Sequence, residues 1–286
     1  MGCIIIRAGI AMWLGLAFLA HAQENKIPDL DAEAGAFKNE GTSTAGQSSA
    51  GLADQLANPI ASLISVPLQA NYDCCYGPEK AGRHTLNIQP VFPFSLSRDW
   101  NLITRTIVPV IHQGEAVAGQ GSDTGLGDVV QTFFFSPTQS RKDLTWGAGP
   151  VLLWPTGDSH FSARKTGIGP SIVVLNQDRG LTYGLLANHI WSVAGDSKRP
   201  DVSATFLQPF FAKTFPDSTG VTLQTESTYD WRNKQWTIPI SLMVSHIFKF
   251  GEQPVSLALG GRYYVERPAQ SPHWGLRFVV TFLFPK

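Results

Sequence analysis

Seven charged residues lie within or at the start of segments in which polar and apolar residues alternate. They are Arg105, Asp128, Glu226, Asp230, Lys249, Arg262 and Arg277. Side chains of a strand alternate between its two faces, so parity places each charge opposite an apolar row. An arginine or lysine that faced lipid at mid-membrane would cost about 2–4 kcal/mol. Facing an aqueous interior, these charges can line a constriction that selects permeants, or pair across strands and only stiffen the wall.

Serines and histidines are placed unfavourably for nucleophilic catalysis, which needs both groups on one face. His189 and Ser192 have opposite parity, and Ser245 and His246 are neighbours on opposite faces. The histidines are scattered, and neither H-x-x-x-H nor C-x-x-C spacing occurs in the sequence. The sequence therefore predicts no catalytic residue, no metal site and no cofactor.

The glycines of Gly125-Leu126-Gly127-Asp128 have the spacing of part of a nucleotide-binding loop. A phosphate site would also need a following helix, and none is predicted here. The glycines instead indicate a bend or a close backbone approach at the start of a strand. We expect Asp128 to anchor the loop before it, with ligand binding as the alternative.

The clearest strand runs from Val221 to Trp231. Its even-numbered positions, from Thr222 to Asp230, are all polar or charged. The odd-numbered positions begin with an apolar residue and end in Tyr229 and Trp231, residue types favoured where hydrocarbon meets water. These 11 residues are about the length that a tilted strand needs to cross a bilayer.

The same alternation recurs along the chain and predicts about twelve strands. They are 64–72, 85–94, 100–112, 126–136, 145–156, 167–176, 181–192, 202–214, 221–231, 236–250, 254–265 and 273–284. Parity is weakest in the third, fourth and eighth, where Ile103, Ile107 and Phe134 interrupt the polar row. Short turns alternate with mostly longer polar loops, as in outer-membrane barrels. We therefore predict an all-β fold, a transmembrane antiparallel up-and-down β-barrel.

Every tryptophan beyond the N-terminal 22 residues falls at or near the end of a predicted strand. These residues are Trp100, Trp146, Trp154, Trp191, Trp231, Trp236 and Trp274. Soluble sandwiches bury tryptophan in mid-core, whereas membrane barrels place aromatic residues in two girdles at the interfaces. We expect these tryptophans to form the girdles. A soluble periplasmic β-protein is the alternative.

Composition and the N-terminus indicate an exported protein with no nucleic-acid partner. Lysine plus arginine and aspartate plus glutamate both number 22, so the chain lacks the basic field that phosphate binding needs. Residues 1–22 combine Arg7, an apolar run and an Ala20-His21-Ala22 site, which predicts a signal peptide. Residues 23–60 predict a flexible periplasmic arm with a short helix near 52–56, and residues 61–286 predict the barrel.

Cys74 and Cys75 are adjacent in the predicted first outer loop, near residues 73–83. Neighbouring cysteines seldom pair, because the ring they would close strains disulfide geometry. We therefore expect two loop thiols, with a metal or redox role as the alternative.

Three segments resemble the outer-membrane transporter family associated with meta-pathway phenol degradation. They are 56–67 (LANPIASLISVP), 125–128 (GLGD) and 281–286 (TFLFPK). The resemblance covers roughly residues 51–286 and implies an outer-membrane β-barrel with a link to phenolic compounds. It brings no catalytic residue, and the cysteine pair is not part of the pattern.

The sequence as a whole predicts a passive channel or uptake pore in the bacterial outer membrane. Twelve strands enclose a narrow interior, so small solutes, aromatic ones included, are expected over bulky ones. The expected partners are outer-membrane lipid, the barrel assembly machinery and a small-molecule permeant. The alternatives are a non-conducting structural or interaction barrel and a barrel-embedded, phospholipase-like hydrolase.

Overall fold

The computed structural model describes residues 48–139 and 144–285. The predicted signal peptide and most of the predicted arm lie outside these residues. One helix, α1 (Ser49–Leu56), precedes fifteen strands. The strands are β1 (Ile64–Tyr76), β2 (Ala81–Ile88), β3 (Val91–Ser95), β4 (Trp100–Gln113), β5 (Asp123–Leu126), β6 (Val129–Pro137), β7 (Leu144–Trp154), β8 (Lys165–Asp178), β9 (Leu181–Gly195), β10 (Ser203–Thr214), β11 (Thr219–Thr225), β12 (Ser227–Asp230), β13 (Gln235–Phe250), β14 (Gln253–Glu266) and β15 (Trp274–Phe284).

All of these strands belong to one closed antiparallel barrel. Three positions around its wall are each shared by two short strands, namely β2 with β3, β5 with β6, and β11 with β12, so the circumference of the barrel contains twelve strand positions. The barrel closes where β1 pairs with β15, from Ile64 opposite Phe284 to Asp73 opposite Gly275. Closure removes every sheet edge and satisfies the backbone without water. The predicted fold class and strand number are confirmed.

The connections differ between the two ends of the barrel. One end, the turn end, carries residues 96–99, 179–180, 215–218 and 251–252, together with the connection between β6 and β7. The other end, the loop end, carries residues 77–80, 114–122, 155–164, 196–202, 231–234 and 267–273. The first outer loop is shorter than the expected 73–83, because β1 continues to Tyr76 through a shift in register after Asp73.

The outer face of the barrel exposes side chains that a soluble protein would bury. Among them are Leu223, Leu242, Val244, Leu259 and Phe278, each between 44% and 63% exposed. Among the described residues, no helix is long and apolar enough to span a membrane. A closed antiparallel barrel with an apolar outer band is the architecture of bacterial outer-membrane proteins. The chain is therefore located in the outer membrane.

The tryptophans lie at both ends of the barrel wall. Trp100 and Trp146 are at the turn end, where their rings meet edge to face with centroids 6.0 Å apart. The loop-end tryptophans are Trp154, Trp191, Trp231, Trp236 and Trp274. All except Trp236, which is half-buried, are between 38% and 55% exposed. Two levels of aromatic side chains thus bound the apolar band, and their role as interface girdles remains a prediction.

The barrel interior contains an apolar core on one side. Ile103 and Phe134 are each 1% exposed and pack with Ile60, Val173 and Leu175. These contacts explain why the polar row was interrupted in the third and fourth predicted strands. The inner face there is apolar because it packs against the chain segment that carries Ile60, and not against water.

The segment of residues 48–63, which we call the lumenal segment, lies inside the turn end of the barrel. Its helix α1 begins where the Ser48 hydroxyl accepts a hydrogen bond from the Gly51 N–H at 3.1 Å. Leu52, 2% exposed, packs against Ile247 and Leu283 of the wall. The flexible arm was expected to extend to residue 60, but residues 48–60 form this helix and loop inside the barrel.

Two further hydrogen bonds fix the lumenal segment to the wall. Both involve Gln177 of β8, whose amide oxygen accepts from Asn58 Nδ2 at 3.0 Å and whose amide nitrogen donates to the Asp54 carbonyl at 2.9 Å. Asn58 also accepts from the N–H of Ile60 at 3.0 Å, which shapes the turn after α1. The segment is therefore held by specific polar contacts as well as by apolar packing.

Cys74 and Cys75 form a disulfide with each other. This corrects the expectation of two loop thiols. The residues lie in β1 at the register shift between Asp73 and Tyr76, where Cys75 has a φ of 79°. The bulge changes the direction of the backbone between the two cysteines, which brings their sulfur atoms together.

The outward position of Leu242 gives a direct test of membrane location. Leu242 lies in the middle of β13 and is 55% exposed. We predict that Leu242→Arg lowers the free energy of unfolding by about 2–4 kcal/mol in lipid vesicles. The matched control is Val265→Arg near the loop end, for which we expect about 0–1 kcal/mol. Reversible urea unfolding measures both, and equal small effects would contradict a lipid-facing wall.

Candidate functional site

Four of the seven predicted charges face the barrel interior near one another. Arg105 lies on β4, Glu226 lies between β11 and β12, and Arg262 and Arg277 lie on β14 and β15. Together with Asn71 and Asp73 of β1 they form a group that we call the charged layer. Its members come from both sides of the seam between the first and last strands, so barrel closure assembles the group.

Arg277 and Glu226 form a two-point ion pair at the centre of the charged layer. Arg277 Nη1 and Nη2 donate to the two Glu226 carboxylate oxygens at 3.0 and 2.5 Å. The third donor of the arginine, Nε, reaches Asn71 Oδ1 at 2.8 Å. Arg277 is 2% exposed, so its charge is removed from bulk water. Such a parallel fork is among the stronger polar contacts in proteins.

Prolines in the two neighbouring strands account for the break in the wall at Glu226. The pairing of β10 and β13 with this part of the wall stops at the end of β11 and resumes in β12. Pro209 of β10 and Pro239 of β13 lie in these unpaired stretches, beside Glu226. Proline has no N–H to give to a sheet ladder and is tolerated where pairing is already interrupted. The break separates β11 from β12 while Glu226 keeps its inward direction.

Asp73, Arg262 and Tyr264 form a second ion-pair group. Arg262 Nε donates to Asp73 Oδ1 at 2.7 Å, and a second guanidinium nitrogen contacts the other carboxylate oxygen. The Tyr264 hydroxyl donates to Asp73 at 3.0 Å. Gly275 of β15 lies opposite Asp73 in the sheet, and a Cβ added there would collide with the Asp73 carboxylate. Glycine at this position therefore leaves room for the ion pair.

Sequence reasoning missed Asp73 because it assigned residues 73–83 to a loop. The available signal was parity, since Asp73 continues the polar row of the first strand. Arg83, on the neighbouring strand, was missed for the same reason. Its guanidinium carbon lies 4.1 Å from the centre of the Tyr76 ring, and its Nε donates to Gln113 at 2.6 Å.

Arg105 differs from the other arginines of the charged layer. Its Nη2 donates to Gln89 Oε1 at 2.8 Å. In the part of the chain that the structure describes, no carboxylate lies within 4.0 Å of its guanidinium group. It lines two adjoining interior cavities of about 230 and 240 Å³, which lie between the lumenal segment and the wall.

The other three predicted charges, Asp128, Asp230 and Lys249, lie outside the charged layer. Asp128 accepts from Gly157 N at 3.1 Å and from Ala163 N at 2.7 Å, so it anchors the loop 155–164. This corrects the expectation that it anchors the loop before it. Asp230 accepts from the backbone of residues 232 and 233 and stabilises the short turn after β12. Lys249 is exposed near the turn end of β13.

An ion-pair chain stabilises the loop end of the barrel. Lys165 Nζ and Arg232 Nη2 contact the two carboxylate oxygens of Asp201 at 3.0 and 2.7 Å. The hydrogen bond from Lys165 holds the pKa of Asp201 below its ordinary value. Asp201 lies in the loop 196–202, so these contacts connect β8, the β9–β10 loop and the β12–β13 turn at the mouth of the barrel.

One serine–histidine contact lies on the outer face. Ser192 Oγ bonds to Asp201 and not to His189, in agreement with the predicted parity. Ser203 Oγ, however, lies 3.4 Å from His189 Nε2, and His189 Nδ1 lies 2.7 Å from the Thr205 hydroxyl. Sequence reasoning missed this pair because its members lie on different strands. The third group is a hydroxyl, which provides no negative charge to stabilise an imidazolium.

Comparisons with known proteins support the fold. No protein-family model matches the chain, and no curated protein matches it. An outer-membrane channel from Pseudomonas putida F1 is similar in structure, with a TM-score of 0.61 and 12% identity over 78% of this chain and 96% of that one. The NanC porin gives a TM-score of 0.49 and 10% identity over 77% and 100%.

Outer membrane phospholipase A from Escherichia coli gives a TM-score of 0.47 and 9% identity, over 82% of this chain and 98% of that one. Of these three proteins, the P. putida channel has a TM-score above 0.5, and at 12% identity its similarity concerns the fold alone. Because one fold can serve many functions, the function of this chain depends on the residues of its own interior.

The Arg277–Glu226 pair should be far more sensitive to loss of one partner than to loss of both. We predict that Glu226→Gln lowers the free energy of unfolding by about 3–5 kcal/mol, because it leaves a buried guanidinium without its carboxylate. The double variant Glu226→Gln/Arg277→Gln should recover much of that loss. Urea unfolding of the single and double variants measures the coupling, and additive effects would show that the pair is not coupled.

Proposed function

We propose that this protein is a passive channel of the outer membrane and that small solutes cross through the barrel interior. The observation that carries the proposal is the pair of interior cavities, bordered by polar groups of the wall and by the lumenal segment. The amides of Gln89, Gln208 and Gln224 line both cavities. A barrel built only for rigidity would not need polar space at its centre.

The orientation follows from the chain ends and loops. The described chain enters β1 and leaves β15 at the turn end, where connections are short. Short turns face the periplasm in outer-membrane barrels, and longer loops face outward. We therefore place the lumenal segment on the periplasmic side and the charged layer above it.

Three assignments rest on sequence alone and belong to this proposal. Residues 1–22 serve as a signal peptide, and residues 23–47 as a periplasmic arm. Outward aromatic residues of the last strand, including Phe282 and Phe284, are the features that the barrel assembly machinery would read. The segments 56–67, 125–128 and 281–286 support membership of the transporter family associated with meta-pathway phenol degradation.

The lumenal segment should limit conductance. Deleting residues 49–61 removes α1 and the following turn, which lie inside the barrel at the turn end and border both cavities. We expect a severalfold larger single-channel conductance in planar bilayers than for the intact protein, because the path becomes wider. The matched control deletes residues 24–36, an equally long stretch of the arm, and should conduct as the intact protein does. Two non-conducting deletion variants would favour a structural barrel over a channel.

The second candidate function is hydrolysis of lipid, and the Ser203–His189 contact is the observation that favours it. If it operates, detergent-solubilised protein will cleave a phospholipid, and Ser203→Ala will abolish the reaction. We expect no activity above that of Ser203→Ala, because the dyad lacks an acidic or amide partner. Serine-dependent cleavage would establish an enzyme, whatever the conductance.

A further inference from the structure

The charged layer contains more positive charge than negative charge. Arg277 is paired with Glu226, and Arg262 is paired with Asp73. Arg105 is the cation left over, since none of the described carboxylates lies within ion-pair distance of it. A cation in an enclosed site attracts an anion more strongly than it would in water, because the effective dielectric constant is lower.

Two amide groups that line the same cavities as Arg105 have unused donors. Gln89 accepts from Arg105 through its oxygen, and Gln224 accepts from Gln208 Nε2 at 3.1 Å through its oxygen. Among the described residues, neither the Gln89 nor the Gln224 side-chain nitrogen donates a hydrogen bond to another protein group. Both glutamines line the cavities that Arg105 lines. The site therefore combines one cation with two neutral donors, a set that suits a carboxylate.

The wall of the first cavity has an apolar part, beside the polar Gln55 and Asn58 of the lumenal segment. Leu56, Pro59 and Leu63 contribute to it from the segment, and Val91 and Phe210 from the barrel. Val91 and Phe210 also pack against the apolar core around Ile60. A strongly hydrated anion such as phosphate or sulfate would lose its water against this surface without replacement. An anion with an apolar body would place its charged group beside Arg105 and its body against these apolar side chains.

The volume of the cavities favours a small ligand. The two adjoining cavities measure about 230 and 240 Å³, so together they lie at the lower end of the roughly 300–1,000 Å³ of sites for drug-sized ligands. One aromatic ring or a short branched chain is a suitable body for such a space. Because Arg105 is the one cation of the charged layer without a carboxylate partner among the described residues, a ligand with a single negative charge would balance it.

We propose that the channel interior contains a binding site for small organic monocarboxylates with an apolar body. Arg105 pairs with the carboxylate, Gln89 and Gln224 donate to its oxygens, and Val91 and Phe210 contact the body. This inference rests on the proposed channel function and names the class of permeant. The channel should consequently favour such anions over neutral molecules of equal size.

Direct binding tests the site without any need for flux. Titration calorimetry of purified protein in detergent, with benzoate as the probe, should show binding that benzyl alcohol does not reproduce. Arg105→Gln should weaken benzoate binding roughly tenfold or more, since hydrogen bonds to charged groups contribute about 1.5–3 kcal/mol. Lys249→Gln, which removes a cation near the turn end, should leave benzoate binding unchanged.

A second variant keeps the test decisive if Arg105→Gln fails to form the barrel. Gln224→Glu would place a carboxylate in the cavities that Arg105 lines and repel the anionic ligand, so benzoate binding should again weaken. Gel mobility of unheated protein reports whether each variant has formed the barrel. Unchanged benzoate binding in a folded Arg105→Gln or Gln224→Glu protein, or equal binding of benzyl alcohol, would overturn the proposal.

Flux separates this proposal from the channel function beneath it. In liposomes, intact protein should pass benzoate faster than a neutral sugar of similar size, and Arg105→Gln should reduce that preference. Flux of neutral solutes without benzoate binding would refute the carboxylate site and leave the channel intact. Benzoate binding without any flux, even after deletion of residues 49–61, would refute the channel and leave a binding barrel.

Discussion

The pairing of β1 with β15 is the contact on which the rest of the structure depends. It joins the first and last strands of the barrel, so that no backbone donor or acceptor at an edge is left facing hydrocarbon. The same register places Asn71 opposite Arg277 and Asp73 opposite Gly275. One pairing therefore closes the wall and brings together groups nearly 200 residues apart in the chain, which build the charged layer.

The interior follows from the need to fill a narrow barrel. Outward positions are fixed by lipid and are apolar almost throughout, but inward positions have two solutions. On one side, Ile103, Phe134 and Ile60 form an apolar core with the lumenal segment. On the other, arginines and carboxylates neutralise one another and leave polar space around Arg105. The boundary between these two regions is where the cavities lie.

The period-two pattern predicted the strands well, because it depends only on the difference between lipid and interior. For the same reason the inward direction of Arg105, Glu226, Arg262 and Arg277 could be inferred from parity alone. The apolar core could not, since the alternation rule assumes a polar interior, and Ile103 and Phe134 break it by packing on Ile60. The role of residues 48–63 depends on contacts with distant strands that composition does not reveal.

Contacts between distant loops, and the position of the bulge in β1, could not be predicted from the sequence either. Asp128 has the same local neighbours whether it anchors the loop before it or the loop 155–164, so only the fold decides. The Cys74–Cys75 disulfide depends on a bulge that a regular strand pattern conceals. Proline positions, by contrast, were informative in retrospect. Pro209 and Pro239 mark the break at Glu226, where the interruption of pairing is shared by both neighbouring strands.

Thiol modification of an inward position would show whether solutes pass through the barrel interior. Gln208 lines both cavities, whereas Phe211 on the same strand faces lipid and is 48% exposed. A water-soluble thiol reagent should lower the single-channel conductance of Gln208→Cys protein and leave that of Phe211→Cys protein unchanged. Unchanged conductance after complete modification at residue 208 would show that solutes do not pass through the interior beside that residue.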